Sequence, residues 1–244
     1  MDSRRCQTAT ASQAEPEELP VGLGCRSLYT GEQVRPHIMF PDRIYSDVAE
    51  YLTIYALEVS KALGSIDQAL LRSAVSCIED AVIRRASIFV CGNGGSSAIA
   101  EHFVCDYVKG IRTNTQFNPR VTSLSGNIPI LTAIANDLSY ANVFEVQLAA
   151  LAEAGDLLIV VSSSGSSPNI IAALEWARKN KMHSIALTGF TGGEGRNLAD
   201  IALHVDSYNY GVIEDVHQSV MHVMAQFIRQ SRLVDPATVT KIRF

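Results

Sequence analysis

The stretch that most constrains the fold covers residues 86–106, where an apolar segment meets a glycine turn and then a helical pattern. The segment Ser87–Cys91 is short and rich in strand formers, which is typical of a parallel strand covered on both faces. Backbone N–H groups and the helix dipole at such a turn favour phosphate or another anion. A plain strand-to-helix connection with a serine cap explains the same pattern. The residues of the turn are Gly92, Gly94, Gly95, Ser96 and Ser97.

Two common nucleotide-binding motifs do not fit this turn. A dinucleotide fingerprint needs a third small glycine where Ser97 stands and an acid after the next strand, where the chain has serines. A Walker loop needs a lysine directly after the glycines. A second serine-rich loop, residues 162–169, also lies between a strand pattern and a helix pattern. Because the carboxyl ends of parallel strands meet at one edge, the two loops are predicted to face each other across a ligand-binding crevice.

Strand and helix patterns alternate along the rest of the chain. This alternation predicts a three-layer α/β/α fold with a doubly wound, five-stranded parallel sheet and extra N-terminal helices. The predicted strands are 87–91, 119–124, 156–161, 183–187 and 201–205. The predicted helices are 44–63, 68–85, one after the glycine turn, 131–137, 143–153, 168–179 and 212–232, with a polar loop at 109–118.

Composition divides the chain into three parts. Residues 1–43 are rich in Pro, Gly, Gln, Ser and Glu without a sustained period, so we predict a flexible or loosely docked extension. Residues 44–233 form the predicted domain, and residues 234–244 form a C-terminal tail. A hydrophobic content of 47% is ample for one well-buried domain.

Charge, hydropathy and cysteine content exclude several classes of protein. The formal net charge of −5 argues against a nucleic-acid partner. No stretch reaches the roughly 18 apolar residues of a membrane span, so we expect no membrane partner. The five cysteines are an odd number without a CxxC pair, which favours reduced thiols in the cytoplasm over disulfides or a zinc–thiolate site.

Two helices carry the residues best suited to chemistry. His102 and Asp106 are four residues apart, so their side chains share one helix face and could hold a metal or a substrate oxygen. Glu214 and His222 are eight residues apart, about 80° around the helix, and are predicted to converge on one point. The four groups could hold Zn²⁺ or another divalent cation, or act as acid and base. A surface ion pair and a buried structural histidine explain the same pairs.

Three further histidines are predicted to lie outside the site. His217 points elsewhere on the last helix and is predicted to be a supporting or subunit-contact group. His183 and His204 fall in strand patterns and are predicted to be structural. Residues 208–210 could line the mouth of a pocket.

Five segments of the chain resemble a known family: GNGGSSAIAEHF, SLSGNIPILTAIAND, SSSGSSPN, ALTGFTGG and IEDVHQSVMH. In order and spacing they are similar to the sugar isomerase (SIS) domain of phosphoheptose isomerases, over about residues 44–233. The resemblance implies a homotetramer with active sites between subunits. It also implies isomerisation of sedoheptulose 7-phosphate to glycero-manno-heptose 7-phosphate through an enediol.

The resemblance also implies roles for particular residues. The catalytic acid and base would be Asp106 and His222. The metal, expected to be zinc, would be held by His102, Asp106, Glu214 and His222. Substrate and phosphate would be bound by Asn93, Gly94, Ser96, Asn127, Ser162, Ser163, Ser164 and Ser167.

Three positions depart from the family pattern. The chain has Asp106, Glu214 and Asn127 where the family usually has Glu, Gln and Asp. A carboxylate one methylene shorter can cost about a hundredfold in rate if it retreats from its proton. The pattern therefore fits an active subfamily with a tuned site, or one that uses a different sugar phosphate.

The alternative is a non-catalytic SIS-domain scaffold or sugar-phosphate sensor. A tetrameric relative of these isomerases binds the bacterial replication initiator and lacks the acid and the late histidine. This chain has both, at Asp106 and His222, so an enzyme is favoured.

Overall fold

The computed structural model describes residues 39–242 of the chain. Five strands form one sheet: β1 (Ser87–Gly92), β2 (Arg120–Ser123), β3 (Leu157–Ser162), β4 (His183–Thr188) and β5 (Ile201–His204). The α-helices are α1 (Val48–Gly64), α2 (Gln68–Ile83), α3 (Gly95–Cys105), α4 (Ile128–Asp137), α5 (Glu145–Leu151), α6 (Pro168–Lys179), α7 (Gly195–Leu198) and α8 (Tyr210–Ser231). Short 3₁₀ helices cover Tyr140–Asn142 and Pro236–Thr238.

The sheet has the strand order β2-β1-β3-β4-β5, and every neighbouring pair is parallel. The chain moves from β1 to one side and then to β3 on the other, so the winding reverses between these two strands. In open α/β sheets, ligands bind in the crevice at this reversal. Gly92, which ends β1, pairs with Val161 of β3. The glycine turn and the serine loop therefore leave the sheet side by side, as the sequence predicted.

Two apolar cores confirm the three-layer architecture. Successive side chains of a strand point to opposite faces, so Ile88 and Val90 of β1 join one core while Phe89 and Cys91 join the other. The first core packs against α1, α2, α3 and α8. The second packs against α4, α5 and α6.

Several predicted boundaries differ from the structure, and two of the differences have a local cause. α1 begins at Val48 rather than at residue 44, because the Asp47 side chain accepts the backbone N–H of Ala49 as an N-cap, while Ile44 is 98% exposed. The loop predicted from residue 109 begins later, because α3 continues into a π-helical turn, Asp106–Ile111.

The predicted extension and tail lie partly outside the described residues. Residues 1–38 fall there, so the predicted flexibility of that segment stays a prediction. The Phe40 ring lies 4.9 Å from that of Tyr51, and the carbonyl of Phe40 accepts the side-chain amide of Asn209. At the other end, the Val234 N–H donates to the Asn114 carbonyl. Residues just outside each predicted boundary, Phe40 and Val234, therefore contact residues of the domain.

Across residues 39–242, no helix has both the length and the apolar character needed to traverse a bilayer.

Candidate active site

A cavity of about 150 Å³ opens at the carboxyl ends of β1 and β3. The structure brings six of the eight predicted substrate-binding residues to its wall. The lining residues are Asn93, Ser96, Val161, Ser162, Ser163, Ser164, Ser167, Tyr210 and Glu214. The two loops thus enclose one polar space, and the binding roles of these residues stay predictions.

The serine loop is held in place by the turn after β4. Gly165 has a φ of 62°, a backbone conformation that favours glycine, and a β-carbon there would collide with the Gly192 carbonyl oxygen. The Gly165 carbonyl accepts the N–H of Gly195 at 2.8 Å, and the Ser163 carbonyl accepts that of Gly189 at 2.9 Å. These contacts fix the backbone that presents the serine hydroxyls.

An amide pair joins the two loops. Asn93 and Asn169 donate to each other's side-chain oxygens at 2.9 and 2.8 Å, and the Tyr140 hydroxyl donates to Asn93 at 2.8 Å. Asn169 is 1% exposed. Sequence reasoning missed the roles of Asn169 and Tyr140, because their partner is 76 and 47 residues away. The signal that could have found Asn169 is an asparagine at a buried position of a helix start.

Some hydroxyl groups around the cavity have free hydrogen-bonding capacity. The Ser163 hydroxyl is buried and makes no hydrogen bond within the described residues. Ser167 is the N-cap residue of α6, and its side chain makes no capping bond. Ser162 and Ser164 each accept a backbone N–H of their own loop. The hydroxyl groups of the cavity can therefore donate hydrogen bonds to an oxygen-rich ligand.

Two predicted substrate residues lie outside this cavity wall. Asn127 is exposed and caps α4, where its side chain accepts the Ile130 N–H at 3.2 Å. Gly94 precedes α3 with a φ of 54°. Their predicted contact with substrate stays a prediction.

A second group of side chains lies where α3 meets α8. The Asp106 carboxylate lies between two imidazoles, with Oδ2 at 2.7 Å from His222 Nδ1 and Oδ1 at 3.4 Å from His102 Nε2. The two rings meet edge to face with centroids 4.9 Å apart. A separate open cavity of about 180 Å³ borders Asp106 and His222.

The partners of His222 indicate its tautomer. A carboxylate oxygen accepts hydrogen bonds, so Asp106 Oδ2 accepts the Nδ1–H of His222, and the Gln218 amide group lies 2.9 Å from Nε2. A neutral ring that donates from Nδ1 and accepts at Nε2 satisfies both contacts. Sequence reasoning missed Gln218, although its position four residues before His222 places it on the same helix face.

Glu214 lies apart from this group in the structure, so three of the four predicted metal ligands come together and the ligand role of Glu214 stays a prediction. Among the described residues, the His102, Asp106 and His222 ligand atoms lie within 4.8 Å of one another, and Glu214 is not among them. Eight residues of helix rise by about 12 Å along the axis, whereas the prediction weighed only the 80° angle. Glu214 instead lines the serine cavity beside Gly95.

The π-helical turn begins at Asp106 and is anchored in the core. The Tyr107 ring stacks on Phe103 with centroids 3.8 Å apart, and both side chains are fully buried. Burial raises the pKa of the Tyr107 hydroxyl far above its usual range. Such turns are frequent at functional sites, and in this one the residue next to Asp106 is buried in the core.

The three other histidines of the described residues lie outside both groups. His217 is 1% exposed, and burial lowers its pKa to about 4. Nδ1 of His204 lies 3.0 Å from the Thr188 hydroxyl, and burial also lowers the pKa of His204. His183 begins β4 and is exposed. Tyr210 reaches the mouth of the serine cavity, as the sequence suggested.

Comparison with known proteins defines the class. The family model for the SIS domain matches residues 54–189. A phosphoheptose isomerase from Citrifermentans bemidjiense is 36% identical over 177 residues, which is 72% of this chain and 92% of the relative.

Solved structures agree with the sequence comparison. The phosphoheptose isomerase from Neisseria gonorrhoeae has a TM-score of 0.68 at 30% identity, covering 75% of this chain and 98% of its own. That from Francisella tularensis has a TM-score of 0.67 at 28% identity, covering 75% and 96%.

The fold and the family model define a SIS-domain protein. Within that class, the chain belongs to the phosphoheptose isomerase family. The prediction of an isomerase is confirmed, and the non-catalytic alternative is not favoured.

Proposed function

We propose that this chain interconverts D-sedoheptulose 7-phosphate and D-glycero-D-manno-heptose 7-phosphate through an enediol, the first step towards nucleotide-activated heptoses. Its relatives bear the name phosphoheptose isomerase. Two groups of side chains suit the reaction: a hydroxyl-lined cavity for the phosphate, and a cluster of imidazoles with a carboxylate for proton transfer.

The observation that carries this proposal is the distance between the two groups along α3. Ser96 lies in the first turn and His102 six residues later, a rise of about 9 Å. Carbon–carbon bonds of about 1.5 Å give a seven-carbon sugar a length on the order of 8 Å. A substrate with its phosphate at carbon 7 is long enough for this axial separation, to which the angle of about 120° between the two side chains around α3 adds, whereas a triose phosphate is too short for it.

The proton transfers fall to Asp106 and His222. The carboxylate removes the proton beside the carbonyl, and the imidazole moves protons on the substrate oxygens. The 2.7 Å contact between them lets Asp106 orient the ring and fix which nitrogen is basic. The serine hydroxyls bind the phosphate at a distance from the reacting carbons. The free energy of phosphate binding can therefore orient the reacting end of the substrate.

A divalent metal, with zinc the expected identity, fits the His–Asp–His group. Two imidazole nitrogens and a carboxylate oxygen within 4.8 Å form the three-ligand set of a catalytic zinc site that keeps one open position, and a metal there would take a ring nitrogen of His222 from its present hydrogen-bond partner. When bound, the metal polarises a carbonyl oxygen as a Lewis acid.

We further propose a homotetramer with active sites between subunits. Large apolar side chains are exposed on three helices, which favours association: Val48 and Leu52 on α1, Ile128 on α4, Val223 and Phe227 on α8. Light scattering on the purified protein should give four times the chain mass of 26.5 kDa; a monomeric mass contradicts the tetramer.

The cytoplasm is the compartment that suits this enzyme. Cys77, Cys91 and Cys105 are unpaired thiols, which supports a reducing environment.

Turnover of a series of ketose phosphates tests the proposal. The purified protein should isomerise sedoheptulose 7-phosphate faster than five-carbon and six-carbon ketose phosphates, and chelator should reduce the rate. Equal rates on all chain lengths would contradict the spacing argument, and absence of turnover on every one would refute the proposed function.

A further inference from the structure

The carboxylate of Glu214 lies in the wall of the cavity assigned to the phosphate. A β-carbon on Gly95 would lie 2.6 Å from each carboxylate oxygen of Glu214. Gly95 is the first residue of α3, so the negative charge lies against the beginning of that helix. Glu214 is only partly exposed, and it forms no hydrogen bond or ion pair with any residue between 39 and 242.

The rest of the cavity suits an anion. An α-helix of eleven residues begins there, and its first N–H groups carry the positive end of the helix dipole. The Ser163 hydroxyl lines the same cavity, is 5% exposed and makes no hydrogen bond within the described chain. The N–H groups at the start of α3 and the unpartnered Ser163 hydroxyl can all donate to a ligand rich in hydrogen-bond acceptors. A carboxylate in the same wall opposes such a ligand.

We propose that Glu214 determines the specificity of this cavity by competing with free phosphate for the positive end of α3. The proposal rests on the proposed function, because it takes the serine cavity as the phosphate site. Inorganic phosphate must enter against the carboxylate. A sugar phosphate brings further contacts at its other end, which supply the free energy to push the flexible Glu214 side chain aside.

The charge of Glu214 gives the size of the effect. Two unit charges about 5 Å apart in bulk water repel enough to change a binding constant roughly fourfold, and a phosphate dianion doubles that free energy. The lower effective dielectric of a cavity increases the repulsion further. Removal of this one charge should therefore tighten phosphate binding at least about tenfold.

Titration calorimetry with inorganic phosphate at pH 7.5 tests the proposal on the full chain. Glu214→Gln keeps the size of the side chain and removes the charge, so we expect its dissociation constant for phosphate to fall at least about tenfold. Glu214→Asp keeps the charge on a shorter side chain and should gain less. Asp215→Asn is the matched control, since Asp215 is exposed and accepts the Tyr55 hydroxyl instead; its dissociation constant should stay within about twofold of wild type.

Each result decides the proposal. Tightening by Glu214→Gln and not by Asp215→Asn supports it. Equal tightening by both variants shows a general charge effect and overturns it, as does unchanged or weaker binding by Glu214→Gln. Failure of every folded variant to bind phosphate also overturns it. Turnover of sedoheptulose 7-phosphate by the wild-type chain decides the proposed function separately, because it does not depend on the affinity for free phosphate.

Discussion

The amide pair of Asn93 and Asn169 offers the sharpest test of how the two loops are held together. Asn169→Ala removes two hydrogen bonds, of 2.8 and 2.9 Å. Each contributes about 1 kcal/mol, and the Asn93 NH₂ group left without its acceptor costs about 1 kcal/mol more, while the Asn93 oxygen still accepts the Tyr140 hydroxyl. We therefore expect the free energy of unfolding to fall by about 3 kcal/mol. Because the loops carry the cavity hydroxyls, kcat/KM for the sugar phosphate should fall at least about tenfold.

A double-mutant cycle isolates this contact from other effects. Urea unfolding at fixed protein concentration, on Asn93→Ala, Asn169→Ala and the double variant, should give a coupling free energy of about 2 kcal/mol. Asn180→Ala is the matched control, because Asn180 caps the other end of the same helix through the Trp176 carbonyl. It should cost about 1 kcal/mol or less and leave KM unchanged. Coupling below about 0.5 kcal/mol would refute the role assigned to the pair.

Three further predictions concern the catalytic cluster and the buried histidine. Asp106→Asn should lower kcat by about 10²–10⁴-fold in a steady-state assay while Cys105→Ser stays near wild type, and an equal loss in both would show damage to the helix instead. Exhaustive chelation should remove activity and added Zn²⁺ should restore it; full activity after chelation contradicts the metal proposal. His217 has a pKa of about 4 in the folded chain, below its ordinary 6.5, so its contribution to stability is complete above pH 6.5 and is lost as pH falls towards 4. The free energy of unfolding should thus decrease by about 1.4 kcal/mol per pH unit in that window, and a His217→Leu variant with the same slope would contradict this assignment.

Much of the fold was predictable because local patterns and topology agreed. The apolar strands, the glycine turn and Pro168 at the start of α6 each indicate their own structure, and right-handed crossovers then leave few arrangements. The position of Ser96 and Ser162 in one cavity follows from the pairing of β1 with β3. The start of α1 was wrong because Asp47 caps the helix after the apolar pattern has begun.

The site was predictable only in part, because side-chain positions depend on distant partners. His102 and Asp106 converge with His222, as the sequence suggested. Glu214 lies away from His222 because eight residues of α8 separate them along the helix axis. Gln218 contacts Nε2 of His222 because Asp106 already contacts Nδ1. No periodicity in the sequence reports either quantity.

Isomerisation in deuterium oxide tests the central claim most directly. Wild-type protein incubated with sedoheptulose 7-phosphate should yield aldose product that carries deuterium at carbon 2, detected by NMR, because Asp106 exchanges the abstracted proton with solvent before returning it. Product formed at the same rate with no deuterium at that carbon would indicate hydride transfer and contradict the enediol account.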